Sequence, residues 1–544
     1  MPSPIFELCD EFINASAALL PLQAVYWGIP GHEGAPSDLS PSGEHNRAVH
    51  RRDVLSRLDE LAPTDRADEL AALHLRERLQ AEQAAYEHAE YQREVVAGFG
   101  LPRLVCNAVD LLPQNSPEDW QVIAATLRSV PQTLASWRAS LEAGVRDGRL
   151  AARRQALGLA DQVGVFGEGA HQGLLAAYGS GALAEELAAA AAEAHTAYAE
   201  LAGYLRTDYA AAADETDGVG EERYLIAAQL RLGARIDPAE AYEWAWDELH
   251  RIEDEMVREA AAVAGSVPEA VAMLDETDAV DGQDAYHQWL QERHEQAVAD
   301  LNGRHFDIAP DIRQVRARLV PDGSAAYYVG PSEDLTRPGT TWWPVNGRQR
   351  FALWSDLTTV FHEGVPGHHL QIGHMRAAGD GMSRHARLSN VSGNSEGWAL
   401  YAERLADELG WFDTPGRRLG MLLGSALRAA RVVIDLGVHL GFPLPAGEAQ
   451  RHGPEWTFDN TLEVLSQRAF LPEHRLRGEA MRYFGWPAQA SCYKLGERAW
   501  LAAREAARQR LGTRFDLKAW HTAGLNLGGI GLDNLTIQLA AAPL

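Results

Sequence analysis

Apolar residues return every three or four positions along most of this 544-residue chain, a spacing that commits it to amphipathic helices. Leu55, Leu58 and Leu61 set the pattern, and Leu70, Leu73 and Leu75 continue it. Helix-start signals agree. Ser116 is placed as an N-cap before Pro117 and a first turn rich in acids, and Asp237 opens a second long helix running to about Ala262. Segment 181–213 is so rich in alanine that it reads as a well-favoured helix rather than a coiled coil seeking a partner. No fixed-period repeat is present, which argues against a solenoid.

The texture changes once, between 311 and 350. DIRQVRARLV alternates apolar and polar residues, and turn dipeptides then separate short aromatic and β-branched runs. This predicts a small antiparallel β-hairpin region near 311–346 in a mainly α protein. Tyr327 and Tyr328 lie on it, placed to line a substrate site. An exposed edge strand there could hold an extended peptide by main-chain hydrogen bonds.

A hydrophobic content of 46% with 23% charged residues allows a sizeable core. The formal net charge of −27 repels phosphate backbones and anionic headgroups, so neither nucleic acid nor a membrane surface is an expected partner. Cys9, Cys106 and Cys492 are too scattered for a disulfide framework or a cysteine-built zinc site. Glu7, Asp10 and Glu11 stand where a signal peptide would carry positive charge, and no run approaches the roughly 20 apolar residues of a membrane span. A soluble, cytoplasmic protein is expected. Oligomeric state has no signal.

The chemistry concentrates in LTTVFHEGVPGHHLQIGH. In an H-E-x-x-H helix, two histidines four apart share one face and meet one zinc, while the glutamate handles its water. Here His362 and Glu363 are followed by His368 and His369 instead. On a straight helix His368 would point about 120° away from His362, and His369 would lie about 10 Å up the axis. Pro366-Gly367 supplies the break: proline removes a helix hydrogen bond, and Gly367 is expected to turn the chain with a positive φ. Spacing alone leaves the choice between the two histidines open.

Downstream, Glu396 begins a strongly helical run, VSGNSEGWALYAERLADEL, with Glu403 seven residues on. NSEGWA resembles the N-E-G-F-A run of zinc aminopeptidases of the gluzincin type, whose third zinc ligand is such a glutamate. That resemblance implies Glu396 as ligand and Glu403 as a group behind it. HEGVPGHHLQ, NSEGWALYAERL, RYFGWPAQASCYKLGERAW and FDLKAWHTAGLNLGGIGLDNL together resemble the bacterial family catalogued as domain of unknown function 885. LPLQAVYWGIPGHEGAPSDLSP and GEERYLIAAQLRLG fit more weakly, and Gly528–Leu532 departs from the family's usual G-x-x-P-L. The family is similar to the helical zinc peptidases. It implies a two-lobed, gluzincin-like metallopeptidase fold over 1–544 as one continuous catalytic unit, with a helical lobe at 1–300 and a metal-bearing lobe at 301–544. It also favours His368 over His369 as the ligand, leaving His369 to substrate contacts.

Hydrolysis further needs a donor for the developing oxyanion. Tyr493 in CYKLG and His521 in AWHTAGL are the candidates. Arg431, Asp435 and His439, at i, i+4 and i+8, form one polar line on an apolar helix. It is either a structural ladder or a cleft wall whose arginine grips a substrate carboxylate. The expectation is therefore zinc-dependent hydrolysis of a peptide or small amide: His362, His368 and Glu396 hold Zn2+, and Glu363 is the general base. The alternatives are a zinc hydrolase of non-peptide amides or esters, a non-haem Fe(II) facial-triad enzyme, and a silent binding scaffold. An intact Glu363 speaks against the last two.

Overall fold

In the computed structural model, which describes residues 3–321, 323 and 325–542, the chain is mainly helical. It separates into two compact units: residues up to Gly218 with Phe484–Trp486, and Val219–Tyr483 with the chain from Pro487 onward. The division falls at 218/219, whereas the sequence suggested a lobe boundary near 300. Pro238–Ala261 lies along Pro415–Leu440, and Gln283–Leu301 packs on Leu353–Glu363, so these earlier helices belong to the unit that carries His362, His368 and Glu396.

The first unit is a stack of apolar helix faces. Its longest helix, Pro117–Asp147, begins in a capping box: Ser116 accepts from the Asp119 amide while Asp119 accepts from the Ser116 amide. It packs against Ala184–Tyr204, where the alanine-rich sequence presents Ala190, Ala191 and Ala194 to the interior. Trp120, Ile123, Leu127 and Leu187 fill the space between them.

In the second unit Asp237 caps Pro238–Ala261 as expected, accepting from the amides of Ala239 and Glu240. Leu353–Glu363 packs on both Pro415–Leu440 and Ser392–Glu408, and the latter lies along Cys492–Leu511. Two small sheets flank this core. Strand β1 (Ala279–Asp281) pairs antiparallel with β5 (Arg350–Ala352). Strands β2 (Arg316–Val320), β3 (Tyr327–Val329) and β4 (Thr340–Pro344) form a sheet in the order β2-β4-β3. The expected antiparallel hairpin is present as β3 and β4, and β2 joins it as a parallel neighbour of β4 that the sequence pattern did not indicate. Strand β4 carries the more buried residues, Thr341 to Pro344, and takes the central place between two half-exposed edges.

Candidate metal centre

The helix Leu353–Glu363 stops one residue after its histidine, and a new helix, His368–Ala377, starts at the next one. Between them the Val365–Pro366 peptide is cis. The turn is held by main-chain bonds from Gly367 N to Phe361 O (3.0 Å) and from His369 N to Gly364 O (3.1 Å). Gly367 has φ −77°, so the expected positive φ is not what requires glycine. Its role is close approach: a Cβ there would sit 2.0 Å from the His362 carbonyl oxygen. A Cβ on Gly364 would meet His294 Nδ1 at 2.4 Å. Both positions exclude any larger residue.

Asn394, Gly397 and Trp398 each have a placement role. Trp398 Nε1 donates to Pro366 O (2.8 Å) and Gly367 O (3.2 Å), tying the broken helix to Ser392–Glu408. Asn394 accepts from Gln371 and donates to Ile530 O, which anchors the Gly528–Leu532 turn. Gly397 faces Gly496 of Cys492–Leu511 so closely that a Cβ would lie 2.4 Å from its carbonyl carbon. That crossing brings Tyr493 alongside the site.

The result is a buried donor cluster. Ligand atoms of His362, His368 and Glu396 all lie within 4.8 Å of one another. Nε2 of His362 and of His368 are 3.3 and 3.4 Å from Glu396 Oε2. That oxygen is buried and has no hydrogen-bond partner. His362 Nδ1 donates to Glu403 Oε1 at 2.8 Å, leaving the Nε2 lone pair for the cluster. Thr358 donates to the other Glu403 oxygen, and Arg428 lies 3.6 Å from Oε1. Glu363 is buried beside them, and its carboxylate makes no hydrogen bond to the described residues.

Three carboxylates thus crowd two imidazoles. Burial lowers the basicity of His362, but Glu396, Glu403 and Glu363 outweigh it and push its pKa up to about 9. Burial raises the Glu363 carboxyl above its usual range, against the pull of His362 and His368. Burial also opposes ionisation of Glu396, yet the two histidines hold it well below the usual carboxylate range. An excess of buried negative charge around an unpartnered oxygen fits a divalent cation, and a His2Glu donor set suits zinc.

His369 is not part of this cluster. Its Nε2 donates to Ile312 O (2.7 Å), and its Nδ1 accepts from the Tyr328 hydroxyl (3.0 Å). Burial brings its pKa down to about 4, so it is a neutral tether between the helix, the 310–312 turn and β3. Tyr328 also stacks on His368 at 6.5 Å, whereas Tyr327 is 39% exposed and stacks on Trp342.

Tyr493 stacks on His362 with ring centroids 6.3 Å apart. His521, the other expected donor, has its contacts in an aromatic core. It is fully buried among Phe306, Trp398 and Trp520 and shares a 2.7 Å hydrogen bond with Tyr401. The polar line on Pro415–Leu440 resolves as a ladder. Arg431 donates to Tyr483 and pairs with Glu479 at 3.0 Å. Asp435 accepts from Tyr224, Ser491 and the Ala488 amide, while His439 donates to Tyr483 O. Burial raises Asp435 to about 7.

Sequence reading missed Thr358 and Arg428, which hold Glu403 behind His362. Thr358 had a usable signal, since it lies one helical turn before His362 on the same face. A cavity of about 250 Å³ lined by Trp289, Arg293, Leu357, Phe361 and Trp411 includes none of the cluster residues.

The structure is similar along its whole length to that of a candidate lipoprotein from Colwellia psychrerythraea, with a TM-score of 0.82, 20% identity and 99% of each chain covered. It is also similar to a candidate lipoprotein of unknown function from Shewanella oneidensis, with a TM-score of 0.71, 16% identity, and 98% of this chain and 99% of that one covered. At these identities the likeness is one of fold. No curated protein matches the chain. A family profile described as bacterial protein of unknown function matches residues 21–539, and the chain belongs to that family, DUF885.

Proposed function

We propose that the protein is a zinc-dependent hydrolase of peptide bonds with a two-lobed, gluzincin-like catalytic unit. The observation that carries this reading is the convergence of His362, His368 and Glu396 within 4.8 Å, with the unbonded Glu363 beside them. Zinc, when bound there, would polarise a carbonyl and make a water acidic near neutral pH. Glu363 takes the proton of the attacking water and returns it to the departing nitrogen. Glu403 and Thr358 keep His362 in one tautomer and orientation. Tyr493 donates a hydrogen bond to the developing carbonyl oxyanion.

Peptides are favoured over other amides and esters because β3 is an edge strand, paired among the described residues with β4 alone, and its Tyr328 reaches both His368 and His369. An extended chain laid along such an edge bonds through its own backbone. No described helix is long and apolar enough to cross a membrane. We place the chain in the cytoplasm; the lipoprotein descriptions of the two solved relatives favour the cell envelope instead, and fractionation of the native host separates the two.

The deciding experiment is metal analysis of protein purified without added metal, together with digestion of a mixed peptide library read by mass spectrometry. Stoichiometric zinc and cleavage that vanishes in Glu363→Gln support the reading. Stoichiometric iron, or no cleavage by zinc-loaded protein, overturns it.

A further inference from the structure

Beside the donor cluster lies a second buried polar group, none of whose cations the hydrolytic scheme uses. Arg482 Nη2 lies 2.9 Å from the Tyr493 hydroxyl oxygen. Arg482 Nε and Nη2 both donate to Gln489 Oε1, at 3.1 and 2.8 Å. Arg431, itself held by Glu479 and Tyr483, lies over the Tyr493 ring with its guanidinium 4.5 Å from the centroid. Arg431, Arg482 and Tyr493 are each less than a tenth exposed.

We propose that Arg482 is a positioning residue that fixes the direction of the Tyr493 hydroxyl as a hydrogen-bond donor. A guanidinium has no acceptor, so the phenol oxygen must accept from it. Arg482 is the hydroxyl's sole hydrogen-bond partner among the described residues. The single phenolic proton is therefore not consumed by this contact and remains available to an acceptor in the site that Tyr493 flanks. Gln489 keeps the guanidinium in place by occupying two of its other N–H directions. Its turn is pinned in turn by Asp435, which accepts from the Ala488 amide and from Ser491. Arg431 above the ring supplies positive charge and likewise no acceptor. A serine or glutamate at position 482 could take the proton and leave the site without its donor; arginine cannot.

This inference rests on the proposed hydrolysis for its consequence, but not for its geometry, and two readouts keep them apart. The first needs neither metal nor substrate. The tyrosine Raman doublet distinguishes a phenol that accepts a hydrogen bond from one that donates. The difference spectrum of metal-free wild type minus Tyr493→Phe is expected to be of the acceptor type, and to lose that character in Arg482→Gln. A donor-type difference spectrum in wild type overturns the proposal even if every arginine variant misfolds. The second readout is a double-mutant cycle on a peptide cleaved by the wild type. Tyr493→Phe is expected to lower kcat roughly 100-fold, the scale for losing one oxyanion donor. Arg482→Gln should lower kcat about 10-fold or more, with KM and zinc content within about twofold of wild type, and Arg482→Lys should recover part of the loss. In the Tyr493→Phe background Arg482→Gln should cost nothing further, because it acts through the hydroxyl. A full additive loss there overturns it. Failure of the wild type to cleave any peptide overturns the hydrolase reading and leaves the Raman comparison to decide this one.

Discussion

The two compact units bury different kinds of side chain. Among the described residues of the first, Arg51 and Asp68 are the buried Arg, Lys, Asp or Glu side chains, and the rest of the interior is apolar with neutral polar groups such as Gln155, Ser140 and His171. The second buries Glu363, Glu403, Arg431, Glu479, Arg482 and Lys494. Removing a charge from water costs several kcal/mol, and a buried pair often returns no more than that. The first unit folds without such expense. Stability alone therefore does not account for the ionic interior of the second, in which Glu363 and Glu403 lie beside His362, and Arg431 and Arg482 lie against Tyr493.

The strongest way to break this contrast is to remove the cluster's donors. Glu396→Ala and His368→Ala are expected to lose tight zinc binding and all zinc-dependent hydrolysis, with folding intact by circular dichroism. His369→Ala keeps zinc, since that ring is tethered to Ile312 and Tyr328. Zinc lost from His369→Ala and retained by His368→Ala would reverse the assignment. Glu363→Gln comes next: hydrolysis should fall at least about 100-fold with zinc stoichiometry unchanged. A near wild-type rate removes Glu363 as the base. Glu403→Ala should cost roughly 10–100-fold in activity or zinc affinity, the usual scale for a carboxylate that orients a metal-bound histidine.

Leu127→Ala probes the other side of the comparison. Its side chain is fully buried in the first unit's core, so the protein should lose about 2–5 kcal/mol of stability by denaturant titration. Zinc content and kcat of the folded protein should stay at wild-type values. A large drop in kcat would mean the apolar unit also shapes the chemistry.

The smallest expected effect is on pH dependence. His171 of the first unit is buried beside His195, and burial followed by that neighbour's charge lowers its pKa to about 4. A folded pKa below the unfolded value of about 6.5 gives stability that is present above pH 6.5 and lost as pH falls toward 4. The denaturation midpoint should therefore slope downward across that window in wild type and less so in His171→Gln. Parallel pH profiles for the two proteins would assign the acid loss to other groups.

Much of the site was legible because it is written in short-range terms. His362-Glu363 at a helix end, a proline and glycine before His368, and a glutamate opening the next helical run each announce a donor at a known chain position. Asp237 and Ser116 were legible for the same reason, as caps act within three residues. The surroundings of His521 were not legible, because a histidine between tryptophan and threonine looks equally polar whether it faces a cleft or, as here, an aromatic core. Gly367 misled: its sequence position identifies a turn, but not whether φ or an approaching carbonyl excludes a side chain. Arg482 could not be found at all, since its meaning depends on Gln489 and Tyr493 lying against it.

What the sequence by itself determined was the helical character, the caps, the acidic surface balance and the residue types able to hold a cation. Those follow from periodicity and from chemistry confined to a few neighbouring residues. Only the tertiary structure decided that β2 runs parallel to β4, that His368 rather than His369 joins Glu396, and that Arg431–His439 form a ladder. It also decided that Arg482 lies against the Tyr493 hydroxyl. These are relations between side chains up to 200 residues or more apart, as with Tyr224 and Asp435. The free energy that selects them is the cost of leaving a buried polar group without its partner, and no local pattern of the chain reports who that partner will be.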